Sequence, residues 1–331
     1  MSSAPDEVRA WAQARSEARA TRDWPEADRL RTAIEAAGWR VIDRGTRFSL
    51  EPAHPPDVVD GDRIRHGSSA SVPSRLDAPT AGSVSVLMMA TDQPGDLARA
   101  LAALGRHAIE GTQVVIVADG SSPEQEAELM DPAGPAGRAI RGLIPEVVWT
   151  SERLGAAGAL NSGLRRTSAP VVVLLDTAVE PTGDLLGPLV RALGDPTIAV
   201  AGPWGYVSDD LRRFEPGPPG DVDTIDGAAL AFRRSDVLER GFLDERFRLA
   251  LNLDIWWSLV LRDGGEDRSA RRAVALADLP VVRHERAPDA GADSRVDAAE
   301  RERQVRRSFY RVLDRFGARR DLLVGKASAP A

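Results

Sequence analysis

An α/β fold with a mainly parallel sheet flanked by helices, preceded by a small helical module, is the architecture this sequence predicts. Three observations carry it. Short β-branched and apolar runs recur at 84–89, 114–117, 147–150, 171–175 and 198–201. Helix-compatible stretches separate these runs, and continuous apolar strands need covering layers on both faces. Residues 6–37 are instead rich in Ala, Arg and Glu with helical apolar spacing, so a different unit precedes the sheet. The length of 331 residues agrees with about two domains at roughly 150 residues each.

In chain order, 6–37 divides into two short helices at Asp23-Trp24-Pro25, and Gly38 stops the second. Residues 39–43 and 46–50 alternate enough to form a hairpin around Arg44-Gly45, which closes a compact module over 1–52. Residues 53–82 are crowded with Pro, Ser, Gly, Asp and Arg without a sustained period, the composition of a flexible linker. The α/β domain is expected over 83–286, with helices over 95–104, 123–130, 155–166 and 183–193. The remainder, 287–331, is a tail with a helix over 296–316. There Val305, Phe309, Val312, Leu313 and Phe316 recur at helical intervals, an apolar face suited to packing on the domain or to a homodimer. Arg301, Arg303, Arg306 and Arg307 read as the solvated face of the same helix.

Composition narrows the function classes. With 43 basic and 50 acidic residues the formal charge is -7, which argues against a surface that coats a polyanion wholesale. The absence of cysteine excludes disulfides, thiolate zinc sites, iron–sulfur clusters and a cysteine nucleophile. The longest apolar runs fall far short of a membrane helix. The opening Met1-Ser2-Ser3-Ala4-Pro5-Asp6-Glu7 lacks the basic and apolar regions of a secretory signal, so a cytoplasmic protein is expected. In open α/β sheets ligands bind beyond the carboxyl ends of the strands. That rule directs attention to Thr91-Asp92, Asp119-Gly120-Ser121-Ser122 and Asp176-Thr177-Ala178.

Several motifs then follow in a telling order. Val84 to Asp92 forms a strand and turn. Val114-Val115-Ile116-Val117-Ala118-Asp119-Gly120-Ser121 is a strand ending in an acid. Gly155-Ala156-Ala157-Gly158-Ala159-Leu160-Asn161-Ser162-Gly163 is a small-residue helix start. Val171-Val172-Val173-Leu174-Leu175-Asp176-Thr177-Ala178 is a strand ending in a single acid. Asp226-Gly227-Ala228-Ala229 and Gly241-Phe242-Leu243-Asp244-Glu245-Arg246-Phe247 precede Asn252-Leu253-Asp254-Ile255-Trp256-Trp257, and Val281-Val282-Arg283-His284-Glu285 closes the set. This series resembles the family-2 glycosyltransferases, which have the GT-A fold and use nucleotide-diphosphate sugars.

The resemblance implies a nucleotide-sugar donor over Thr91, Asp92 and Asp119, with Asn161 beside it and Asp176 near the diphosphate. It implies Mg2+ or Mn2+ held by Asp176 with His284, an acceptor side formed by Gly227 and Trp256, and Asp254 as the base of an inverting transfer. A carboxylate can accept the acceptor's proton, and a hard divalent ion would neutralise the leaving diphosphate. The chain departs from the family pattern at Ala118 and Ala178, where acids are expected, at Leu160, where arginine is common, and at Asn252, where the base usually stands. A neutral amide cannot take that proton. A second reading is therefore a catalytically degenerate GT-A-like domain that binds a nucleotide sugar or a partner.

Residues 15–50, including Asp23-Trp24-Pro25-Glu26-Ala27-Asp28-Arg29 and Gly38-Trp39-Arg40-Val41-Ile42-Asp43, resemble the C-terminal helical end of cysteinyl-tRNA synthetases. That implies tRNA contact through Arg19, Arg22, Arg29 and Arg31, and an adaptor as a third reading. Glu17, Asp23, Glu26 and Asp28 interrupt the patch and favour a packing module.

Overall fold

The computed structural model describes residues 4–44, 47–90, 92–265, 269–286 and 296–324. At its centre the strand Val84–Met89 lies between Thr112–Ala118 and Val171–Leu175, parallel to both. Glu146–Thr150 continues the parallel set on one side. On the other, Ala229–Arg233 runs antiparallel between Val171–Leu175 and Ile198–Gly202, and Arg272–Ala275 then pairs parallel with Ile198–Gly202. The ten-stranded sheet is thus mostly parallel, with antiparallel insertions, and the expected run at 198–201 enters it beside a reversed neighbour.

Alternation along the central strand explains the two cores. Val84, Val86 and Met88 join one cluster with Leu97, Leu101 and Leu104 of the helix Pro94–His107, while Leu87 joins a second cluster on the opposite face. That second core holds Leu160 and Leu164 of the helix Ala156–Leu164, and Trp256 and Trp257 of the helix Leu253–Arg262. The helices expected near 123–130 and 183–193 are Pro123–Met130 and Leu186–Ala192.

Residues 53–82 are not a linker. Arg63–His66 pairs parallel with Glu146–Thr150, Val58–Asp60 forms the sheet edge beyond it, and Val72 and Leu76 are buried in the second core. Ion pairs between distant segments anchor this sequence in place of an apolar period: Arg65 with Glu126 at 2.7 Å, and Arg75 with Glu146 at 2.8 Å. Composition could not show these pairs because their partners lie 61 and 71 residues away.

Near the N-terminus the helices Asp6–Ala20 and Trp24–Ala36 precede the hairpin of Trp39–Arg44 with Arg47–Pro52. Asp23 caps the second helix by accepting from the Glu26 amide at 3.2 Å. Val8, Ala12 and Ile34 form a small core, and Arg15 makes two hydrogen bonds to Asp43 at 3.0 and 3.1 Å. Three of the arginines expected on a tRNA already face carboxylates: Arg19 faces Asp43, Arg29 faces Glu26, and Arg31 faces Asp28.

The last long helix is Ala298–Phe316. Its Val312 and Phe316 are buried in the second core, and the Phe316 ring meets Trp256 edge-on at 5.5 Å, so the apolar face expected to pack or dimerise turns inward. Arg303, Arg306 and Arg307 are exposed, as a solvated face would be, and they border an open surface recess of about 780 Å³ with Arg240, Arg246 and Tyr310. Among the described residues no helix is long and apolar enough to cross a membrane.

Candidate active site

The carboxyl ends of Val84–Met89 and Val171–Leu175 open onto a pocket of about 340 Å³. Its walls are apolar, from Leu87, Met89, Leu160 and Leu174, and its polar groups are Asp176, Tyr206, Asp226, Asp254 and Arg283. This combination of apolar lining and a few convergent polar groups is the usual form of a small-ligand site.

Asp254 occupies the first turn of the helix Leu253–Arg262. Asn252 begins that helix in the left-handed region at φ 65°, a conformation asparagine tolerates better than most residues, and its carbonyl accepts from the Trp256 amide at 3.0 Å. Asn252 does not line the pocket and caps the helix through its backbone carbonyl alone, while Asp254 is the acid that faces the cavity. The Asp254 carboxylate accepts from the Gly227 amide at 3.0 Å and the Ile255 amide at 2.9 Å. Removal from water outweighs those bonds, and with the negative charge of Asp226 nearby it pushes the carboxyl up to about 6.

Gly227 gives this contact room. A Cβ there would lie 3.0 Å from Asp254 Cβ, tighter than an ordinary contact, so a side chain would push Asp254 away by a few tenths of an ångström. Asp226, beside it, is buried and accepts from the Ala228 amide at 2.8 Å, the Tyr206 hydroxyl at 2.5 Å and the Arg283 guanidinium at 2.8 Å. Burial, reinforced by the hydrogen bond to Asp226, pushes the Tyr206 hydroxyl well above its ordinary value and keeps it a donor.

Other expected site residues have different work. Asp119 does not line the pocket; its carboxylate accepts from the Leu154 and Gly155 amides at 2.7 and 3.0 Å and from the Thr150 hydroxyl at 3.1 Å. Burial raises its proton affinity against those donors. It holds the Gly155 turn, whose φ of 82° and 2.9 Å approach of a would-be Cβ to the Arg248 carbonyl both demand glycine. The following helix is closed to phosphate, because the Ala156 and Ala157 amides donate to the Arg248 and Phe247 carbonyls.

Asn161, expected beside the donor, is buried away from the pocket. Its amide donates to the Leu243 carbonyl at 2.9 Å and to Glu245 at 3.0 Å, and its oxygen accepts from the Leu243 amide at 3.0 Å, so it clamps the 241–247 turn. Asp92 accepts from the Ser122 amide at 2.6 Å, and Thr91 lies outside the described residues. Trp256 packs between Phe247 and Phe316; its neighbour Trp257 is the tryptophan at the pocket wall, since successive helical side chains diverge.

Asp176 borders both the pocket and an adjoining recess of about 570 Å³, lined by Asp176, Ala178, Arg283, His284, Glu285 and Arg286. Its Oδ1 accepts from the Ala178 amide at 2.7 Å and sits 2.9 Å from the Arg286 guanidinium. His284 reaches this recess, but its Nε2 is 2.9 Å from Glu180, which Arg106 also contacts at 3.3 Å. A divalent ion does not fit this donor set. Ala178 supplies no ligand, a guanidinium faces Asp176, and no group of three His, Asp or Glu side chains among the described residues could hold a metal. Sequence reasoning passed over Asp226, Tyr206, Arg283 and Arg286. The local signals were that Asp226 adjoins the singled-out Gly227 and that Arg283 and Arg286 flank the singled-out histidine.

Comparison with known proteins agrees with this architecture. Residues 85–247 match the family model described as Glycosyl transferase family 2, and the mixed α/β architecture resembles that of GT-A glycosyltransferases. The pre-mycofactocin glycosyltransferases of two Mycobacterium tuberculosis strains are 25% identical over 216 residues, 60% of this chain and 43% of theirs. Among solved structures, GalNAc-T7 with UDP, GalNAc and Mn2+ superposes with a TM-score of 0.58 at 15% identity, over 71% of this chain and 48% of that one. The mannosyltransferase PcManGT from Pyrobaculum calidifontis, with GDP-Man and Mn2+, gives 0.50 at 19% identity, over 77% and 73%. The N-terminal part matches cysteine–tRNA ligase of Opitutus terrae, 49% identical over 49 residues, 15% of this chain and 11% of that enzyme. The chain therefore spans less than half the length of the curated relatives it matches.

Proposed function

We propose that this protein transfers a glycosyl group from a nucleoside-diphosphate sugar to an acceptor hydroxyl with inversion at the anomeric carbon. The observation that carries this reading is Asp254, a carboxylate of raised proton affinity in an apolar-walled pocket at the strand ends, just beyond the residues that match the family-2 model. A base whose proton affinity lies just below neutrality is largely ionised at pH 7 and still accepts a proton effectively. In the proposed reaction Asp254 takes the acceptor O–H proton as that oxygen bonds to the anomeric carbon. The bond from the anomeric carbon to the diphosphate oxygen breaks with its electron pair leaving on the nucleoside diphosphate. Positive charge developing on the sugar is favoured by nearby Asp176 and Asp226.

The family match, the two glycosyltransferase neighbours with nucleotide ligands, and the position of Asp254 rather than Asn252 in the pocket all support catalysis over a degenerate binding role. The test is release of nucleoside diphosphate from a panel of nucleotide sugars and hydroxyl acceptors. Donor-dependent release that disappears in Asp254→Asn is expected. Donor binding without turnover across the panel would replace this reading with the binding-protein one.

A further inference from the structure

The side chain facing Asp176, where a second acid and a metal ion would be expected, belongs to Arg286. Its Nε donates to Asp96 at 2.8 Å, one terminal nitrogen donates to the Thr177 hydroxyl, and the other lies 2.9 Å from Asp176. Burial raises the proton affinity of Asp96, but the hydrogen bonds from Arg286 and Arg99 outweigh that effect and hold its carboxyl below the ordinary range. A guanidinium carries five N–H donors. Those three contacts fix the fork and leave further donors for the recess that Arg286 lines.

Arg283 stands at the mouth shared by the recess and the Asp254 pocket, bonded to Asp226 at 2.8 Å. Three carboxylates, Asp96, Asp176 and Asp226, then meet three fixed positive charges, Arg99, Arg286 and Arg283. Their formal sum is zero, the same as two carboxylates around one divalent cation. Guanidinium groups recognise phosphate oxygens through paired, charge-assisted hydrogen bonds, and a pre-positioned fork loses little freedom on binding.

From this arrangement we propose that Arg286, assisted by Arg283, binds the diphosphate of the donor directly, and that this chain holds its nucleotide without a metal ion. The inference rests on the donor-site reading above and adds the means by which the diphosphate is held. Arg286 is placed at the leaving group, where it would stabilise the charge that accumulates as the glycosidic bond breaks.

Calorimetric titration of the full chain with UDP and with GDP tests this without requiring turnover. Binding in EDTA that changes less than about twofold on adding Mn2+ is expected, because the cationic partner is already in place. Arg286→Gln should weaken binding at least about tenfold, the scale of a lost charge-assisted hydrogen bond. Arg286→Lys, which keeps the charge but not the fork, should recover only part of the affinity lost in Arg286→Gln. Thermal midpoints of all three proteins accompany the titrations. Binding abolished by EDTA and restored by Mn2+ would overturn the proposal, as would wild-type affinity in Arg286→Gln. Equal loss in the Gln and Lys variants would also overturn it, by showing a structural role alone. Absence of binding by either nucleotide to the folded wild type, with or without Mn2+, would reject the donor-site reading itself.

Discussion

Replacing Asp254 with asparagine is expected to stabilise the protein while abolishing turnover. Loss of hydration is the dominant influence on this carboxyl and lifts it from the ordinary 3.8 to about 6, against the Gly227 and Ile255 amides. A carboxyl whose folded value exceeds its unfolded value takes up protons on folding. Its contribution to stability is therefore complete below about pH 4 and is lost as pH rises through about 6. At ~1.4 kcal/mol per tenfold change in proton affinity, the ionised side chain costs on the order of 3 kcal/mol at pH 7. Asparagine removes that charge but turns its amide nitrogen toward one of the two backbone donors, which returns about 1 kcal/mol. A net gain of about 2 kcal/mol at pH 7, turning into a loss of about 1 kcal/mol near pH 4 where the wild-type carboxyl is protonated, is the outcome to look for in urea unfolding at stepped pH. In parallel, kcat should fall by about 10²–10⁴-fold, and wild-type kcat/KM should rise with pH through about 6 as Asp254 ionises. A stability difference that does not grow between pH 4 and pH 7, or an asparagine variant that turns over normally, would refute the assignment.

Three other substitutions separate the site from its supports. Gly227→Ala places a methyl 3.0 Å from Asp254 Cβ, and the resulting displacement should lower kcat about tenfold with little change in nucleotide affinity, as read by steady-state kinetics and calorimetry. Asn161→Ala leaves the Leu243 amide and carbonyl without their partner and should cost about 1–3 kcal/mol in urea unfolding. Because Asn161 does not line the pocket, its donor affinity should stay within about twofold of wild type; a tenfold loss would return Asn161 to the donor site. Phe316→Ala removes a fully buried ring from beside Trp256 and should cost about 3–5 kcal/mol; a neutral result would show that the last helix is not integral to the domain.

The central strands and the helices around them were legible because each rests on a local pattern. Val171–Leu175 is apolar at every position and is buried throughout, and Leu97, Leu101 and Leu104 recur on one helical face. Arg63–His66 was not legible, since its charged residues are held by Glu126 and Asp60 rather than by an apolar face. The same limit applied at the site. Asp254 could be picked out by its place in a motif, but the roles of Asp119 and Asn161 depend on backbone groups that arrive from distant segments.

Sequence by itself therefore determined the layered α/β architecture, the family motifs and the placing of Asp119 and Asp176 at strand ends. Burial of consecutive apolar residues is encoded over a few positions, and the chain exits such strands at their polar ends. Only the tertiary structure decided which carboxylates face the cavity and which are spent on backbone amides. It alone brought Arg286 onto Asp176 and Arg283 onto Asp226. The physical reason is that a charged group's chemistry is set by the donors, charges and water within a few ångströms of it, and folding supplies those neighbours from remote parts of the chain.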